Sequence, residues 1–352
     1  MGKIEQYLQE GAKRGASDVH LAAGYPVMYR IDGELISATE EKLSEEEMKM
    51  LLQELLTDGQ MGELRRQGRW DKACSISGTF RVRLHVFCQR GGYAITLRML
   101  STEVPDVKAL GIPASVVKLT DRKSGLILVT GSAGCGRTTT LAALIQRLSY
   151  TYPRNILTLE YLSEYLYSSG KSLILQREIG KDCATCADGL RAALFEDVDV
   201  ILVGKLQDAE TIELAVAAAE LGHLVLAEID GGSVCGAVEH MVGIFPEYMQ
   251  RRIRLRLSEA LAGIACQQMI PKEGGGRAAA FEVMLTEPAI RNLIREEKYF
   301  QIPSVMQSKR EAGMQTMDEA IYDLYMKSLI TTENAVAYAK DTLMMERKVK
   351  LF

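Results

Sequence analysis

Gly125-Leu126-Ile127-Leu128-Val129-Thr130-Gly131-Ser132-Ala133-Gly134-Cys135-Gly136-Arg137-Thr138-Thr139 is the stretch that decides the fold. A short apolar run reads as a buried strand, a glycine-rich loop follows, and residues 137–148 carry a helical pattern. That order is the context of a phosphate-binding loop. Its glycines let backbone N–H groups turn inward toward phosphate oxygens, and the following helix start adds positive potential. Gly131 to Thr139 are therefore the candidate nucleotide-binding residues, with the Thr138 hydroxyl placed for Mg²⁺. The plainer alternative is a glycine-rich strand-to-helix turn. Arg137 stands where such loops carry lysine. Lysine is a compact point charge, whereas the guanidinium is a larger planar fork. The charge is kept and the fit between phosphates is expected to change.

Outward from this loop the pattern continues. Strands are expected at 155–160, 199–203 and 223–229, with an Ala-rich helix at 210–220. Strands alternating with helices indicate an α/β domain with a buried, mainly parallel sheet. The chain beyond Ser233 reads as largely helical, with strands at 263–270 and 278–285 flanking the turn Gly274-Gly275-Gly276. Residues 1–103 read as a smaller α+β domain: a helix at 4–13, strands at 18–21, 27–31, 80–87 and 93–99, and a turn at Asp32-Gly33. Ser44 and Glu47 sit at capping-box spacing and open a further helix. Arg81, Arg83 and His85 alternate with Val82, Leu84 and Val86, so one face of that strand is cationic and the other apolar. Residues 104–120 are expected to form a linker, and 121–352 the nucleotide domain.

The 352 residues are 47% hydrophobic and 25% charged, which excludes extensive disorder. Lys and Arg number 42 against 46 Asp and Glu, a net charge of −4, which argues against nucleic acid as a partner. No apolar region at the N-terminus suggests a signal peptide, and no run is long enough to span a bilayer. A cytoplasmic location is expected. The seven cysteines are scattered. Cys183 and Cys186 form a lone C-x-x-C, half of a zinc site with no histidine at ligand spacing, so structural packing is the expected role.

Several further motifs share one order with a known family. They are Ala16-Ser17-Asp18-Val19-His20-Leu21, Gln89-Arg90-Gly91-Gly92, Gln176-Arg177-Glu178-Ile179-Gly180, Asp199-Val200-Ile201-Leu202-Val203-Gly204, Gly222-His223-Leu224-Val225 and Gly313-Met314-Gln315-Thr316. The most specific is Ala289-Ile290-Arg291-Asn292-Leu293-Ile294-Arg295-Glu296. Over nearly its whole length the chain resembles the type IV pilus retraction (twitching-motility, PilT-like) ATPases of the secretion-ATPase superfamily. The resemblance implies a RecA-like ATPase domain preceded by a PAS-like domain, ATP as ligand, and a subunit of a homo- or hetero-hexamer with an ATPase paralogue. It implies a pilus platform protein of the inner membrane as partner and a place at the inner face of that membrane. Arg81, Arg83 and Arg98 match positions that reach nucleotide in relatives, the alternative being a solvated charged face. Arg291, Asn292 and Arg295 are implied partner contacts.

The departures from the family pattern fall at chemical positions. The family's Ile-Glu-Asp-Pro-Ile-Glu is Leu159-Glu160-Tyr161-Leu162-Ser163-Glu164 here, which keeps two carboxylates. Its Gly-Glu-Met-Arg-Asp is Gly204-Lys205-Leu206-Gln207-Asp208, so the glutamate that would polarise water is a lysine. Its Thr-Leu-His-Thr is Glu228-Ile229-Asp230-Gly231. At about 4 Å and an effective dielectric near 20 a unit charge pair is worth about 4 kcal/mol, enough to change what such a site holds. Lys205 is expected to pair with Asp230 or Glu228, to weaken Mg²⁺ binding, and to reduce or abolish hydrolysis. Two alternatives stand beside this: an active ATPase with a rearranged site using Asp208, Glu160, Glu164 or Glu228, and a structural adaptor that binds no nucleotide.

Overall fold

Leu126, Ile127, Leu128 and Val129 have no exposed surface, and they alternate between two apolar clusters. A strand buried on both faces needs covering layers on both sides, which is why its sheet is mainly parallel. The computed structural model describes residues 2–31, 33–101 and 103–350. They form two compact units, Met1–Glu103 with Leu162–Leu166, and Val104–Tyr161 with Tyr167–Phe352.

The first unit contains α1 (Lys3–Lys13), β1 (Asp18–Ala22), β2 (Pro26–Ile31), β3 (Glu34–Lys42), α2 (Glu45–Leu55), α3 (Asp58–Gln67), β4 (Arg69–Ile76), β5 (Phe80–Gln89) and β6 (Gly92–Leu100). Its sheet runs β3-β2-β1-β6-β5-β4 with antiparallel neighbours throughout. Val82, Leu84 and Val86 point into a core shared with Ile4, Leu8, Met48, Leu51 and Leu52. Burying each such side chain contributes about 1.5–3 kcal/mol. The expected capping box is present: Ser44 Oγ accepts from Glu47 N and Glu47 Oε2 accepts from Ser44 N. β4 and α3 carry no pattern that marks them in the sequence, and β3 is implied there only by the turn before it. β3 is an exposed edge strand without apolar alternation, and edges are blunted by charge in this way. Ile31 pairs with Glu34 across the β2–β3 turn, where Gly33 has φ 90°, while Asp32 lies outside the described residues.

The second unit contains α4 (Ala114–Leu119), β7 (Gly125–Gly131), α5 (Arg137–Thr151), β8 (Asn155–Glu160), β9 (Leu173–Glu178), α6 (Cys186–Ala193), β10 (Val200–Val203), α7 (Ala209–Glu220), β11 (Leu224–Glu228), α8 (Val234–Gly243), α9 (Glu247–Ala260), β12 (Leu261–Pro271), β13 (Arg277–Leu285), α10 (Pro288–Arg295), α11 (Ile302–Ser308), α12 (Met317–Met326), α13 (Thr332–Tyr338) and α14 (Thr342–Val349). The sheet order is β13-β12-β7-β11-β10-β8-β9, and only the β12–β13 hairpin is antiparallel. Two corrections follow. Residues 104–120 are no free linker, because Val107, Ile112, Val116 and Leu119 are buried in this unit's core. The strand expected at 223–229 stops at Glu228, which leaves Asp230 in the loop that follows.

Cys186 is buried among apolar side chains, and desolvation pushes its thiol up to about 12. Cys183 is half-buried and packs against the same cluster. No helix among the described residues is long and apolar enough to cross a membrane.

Candidate functional site

The loop between β7 and α5 is held from one side by β12. Gly131 has φ 143°, and a Cβ there would meet the Gln267 carbonyl oxygen at 2.2 Å and Cys135 Sγ at 2.7 Å, so only glycine fits. Gly136, at φ 91°, caps α5 without any side-chain hydrogen bond. The first amides of α5 therefore have no side-chain acceptor at the cap, the arrangement in which a helix start receives an anion. Ser132, Ala133 and Gly134 are exposed, Cys135 is buried, and Thr138 and Thr139 are half-buried. Burial raises the Cys135 thiol above its ordinary value. Thr140 Oγ1 donates to Gln267 Oε1 at 2.6 Å, and Arg277 Nη1 lies 3.5 Å from the Gly134 carbonyl. A cavity of about 250 Å³ beside the loop is lined by Gly136, Thr139, Gln267, Met269, Lys272 and Arg277. The contributions of β12 and β13 were not read from sequence, because these residues lie about 130 positions from the loop and carry no local motif.

Arg137 does not point freely into the loop. Its Nη2 lies 3.1 Å from Glu228 Oε1 and its Nη1 lies 3.0 Å from Asp230 Oδ1. Nη1 also donates to the Ile229 carbonyl at 3.3 Å. Lys205 Nζ lies 2.9 Å from Asp230 Oδ2. Glu228, Arg137, Asp230 and Lys205 thus form a row of alternating charge. The Arg137 and Glu228 side chains are each 12% exposed, against 50% for Asp230 and 31% for Lys205. The Lys205 hydrogen bond, with Arg137 behind it, holds the Asp230 carboxyl below its ordinary range. The Asp230 loop is fastened to the phosphate loop: Thr130 Oγ1 donates to the Gly231 carbonyl at 2.8 Å, and Gly131 and Gly231 form a β-bridge.

Glu160 is buried at the end of β8. Glu164 belongs to the first unit, where the cationic face of β5 draws it to 3.7 Å from Arg83 Nη1. Asp208 caps α7, accepting from Thr211 N at 2.8 Å and Thr211 Oγ1 at 3.0 Å, so it is committed to the helix. Arg81 Nη2 donates to the Ser163 carbonyl, and Arg98 Nε lies 2.8 Å from Asp18 Oδ1. On α10, Ile290 and Ile294 are buried. Arg291 pairs with Glu259, Arg295 Nη1 lies 3.8 Å from Glu259 Oε1, and Arg295 Nη2 donates to Asn292 Oδ1 at 2.8 Å.

The residues present fit phosphate and do not fit Mg²⁺. The uncapped amides of α5 suit an oxyanion. Glu228 and Asp230 are already paired with the Arg137 guanidinium, and the Lys205 ammonium stands beside Asp230.

Residues 2–337 match the family described as type II/IV secretion system protein. The chain is 39% identical over 337 residues to the type IV pilus retraction ATPase PilT of Pseudomonas aeruginosa, covering 96% of this chain and 98% of that one. It is 42% identical over 317 residues to the protein YggR of Escherichia coli, covering 90% and 96%. The crystal structure of the pilus retraction motor PilT with bound ADP superposes with a TM-score of 0.90 at 41% identity, covering 99% of this chain and all of that one. With its RecA-like second unit, the chain belongs to the PilT-like pilus retraction ATPase family of type II/IV secretion system proteins.

Proposed function

We propose that this protein is a nucleotide-binding subunit of a type IV pilus retraction ring in which ATP hydrolysis is weak or absent. The amides from Gly131 to Thr139 hold the phosphates of ATP. Bound ATP supplies the ring with a conformational signal, and the poor fit for Mg²⁺ separates binding from turnover. The single observation that carries this reading is Lys205, which follows β10 where relatives carry the water-polarising glutamate and is fixed to Asp230 at 2.9 Å. An ammonium group has three donors and no lone pair with which to take a proton from water. The ring is a hexamer of this chain, or of this chain with an active paralogue, docked on a platform protein at the inner face of the membrane. Arg81, Arg83 and Arg98 supply further phosphate contacts in that ring. The exposed side of α10, with Arg291, Asn292 and Arg295, faces the partner.

The test is steady-state phosphate release by the pure protein, alone and mixed with an active paralogue. The expected rate alone is at least about a hundredfold below the 10 s⁻¹ typical of enzymes. Turnover of about 1 s⁻¹ would instead establish an active ATPase with a rearranged site.

A further inference from the structure

The row Glu228–Arg137–Asp230–Lys205 bears on which form of nucleotide the site accepts, given the nucleotide-binding reading above. Its formal charges cancel, so no carboxylate there is left over for a divalent cation. The cation that should grip phosphate is instead held by two internal carboxylates. The two carboxylates differ. Glu228 lies at the end of β11, is nearly buried and meets Arg137. Asp230 lies in the loop, is half-exposed and touches both cations, one with each oxygen. Its backbone is fixed through Gly231, but its side chain can rotate into solvent without moving any strand.

We infer that the site takes a nucleoside polyphosphate free of divalent metal, and that Asp230 is its built-in competitor. The Asp230 carboxylate occupies the positions of two phosphoryl oxygens, on Arg137 and on Lys205. An entering polyphosphate displaces it and takes both cations, so Lys205 supplies the positive charge that a metal ion supplies elsewhere. The ligand's negative charge then meets two side-chain cations and the amides of α5. A metal-bound polyphosphate would bring a second positive centre against Lys205.

The experiment titrates the full chain with N-methylanthraniloyl-ATP in excess EDTA and in excess Mg²⁺. Wild type, Asp230→Asn and Lys205→Met are compared, with folding of each checked by circular dichroism. Binding in EDTA should be at least as tight as in Mg²⁺. Asp230→Asn should bind about threefold to tenfold more tightly in EDTA, because a part-exposed ion pair no longer competes. Lys205→Met should lose affinity in EDTA. A wild-type affinity at least tenfold weaker in EDTA overturns the inference and leaves nucleotide binding intact. So does a folded Asp230→Asn variant that binds more weakly. Should that variant fail to fold, Asp230→Ser carries the same expectation. No binding by any form in either buffer overturns the inference and the nucleotide-binding reading together.

Discussion

Lys205 and Asp230 carry opposite charges and meet at 2.9 Å. Reversing one partner alone therefore leaves like charges in contact. Lys205→Glu would set a carboxylate beside Asp230, and Arg137 already serves Glu228 and Asp230. Crowded carboxylates raise one another's pKa and repel. The single variant should release phosphate no faster than wild type. The triple variant Arg137→Lys, Lys205→Glu, Asp230→His restores the family's grip, base and histidine together, and should gain about 10²-fold or more, far beyond the sum of the singles. Comparable turnover from Lys205→Glu alone in a phosphate-release assay would show that the two residues do not act as a unit. The sequence offers Asp230 or Glu228 as the partner of Lys205, through the resemblance that sets these motifs side by side, and the contact falls on Asp230. The hold of Glu228 and Asp230 on Arg137 is not legible there, because a loop motif directs attention to phosphate rather than to the ends of the strand beside it.

At the scale of elements, β13 joins the site loop to the C-terminal helices. Glu282 is 3% exposed on β13; its Oε2 accepts from Val234 N, the first residue of α8, at 2.9 Å, and its Oε1 receives Lys340 Nζ at 2.8 Å. Lys340 also sits where Asp318 accepts from the backbone N–H groups of Lys340 and Asp341, ahead of α14. Lys340→Met strands a buried carboxylate. Removing one partner of a buried pair costs about 3–5 kcal/mol, and the half-exposed ammonium lowers that to roughly 2 kcal/mol. Tm should then fall by about 4–8 °C. Glu282→Gln keeps an acceptor for Val234 and removes the charge, so its loss should be about half as large. Equal losses in thermal unfolding would show that shape, not charge, fastens these elements. Strands with strong apolar runs, β7, β8, β10 and β11, were readable from sequence. β9, half exposed at the sheet edge, was not, because nothing on its outer side imposes a pattern.

The whole molecule leaves an unfinished edge. β9 ends the larger sheet, paired on one side with β8 alone, and Leu173 and Leu175 are both exposed on it. Side chains two apart on a strand share a face, so these two form one apolar patch at the edge of the sheet. Phe195, at the C-terminal end of α6, is 90% exposed. A chain that acted alone would gain nothing from such surface, whereas a ring subunit buries it against a neighbour. Sedimentation of the wild type should show a species several times the subunit mass, present without nucleotide turnover. Leu173→Lys with Leu175→Lys places two charges on that edge and should shift the protein toward monomer. Substitutions at exposed positions usually change stability by no more than about 0.5 kcal/mol, so Tm should barely move. A wild type that sediments as a monomer at every concentration, or a double variant with unchanged mass, would detach this edge from assembly. A double variant that melts many degrees lower would instead make the two leucines part of the fold.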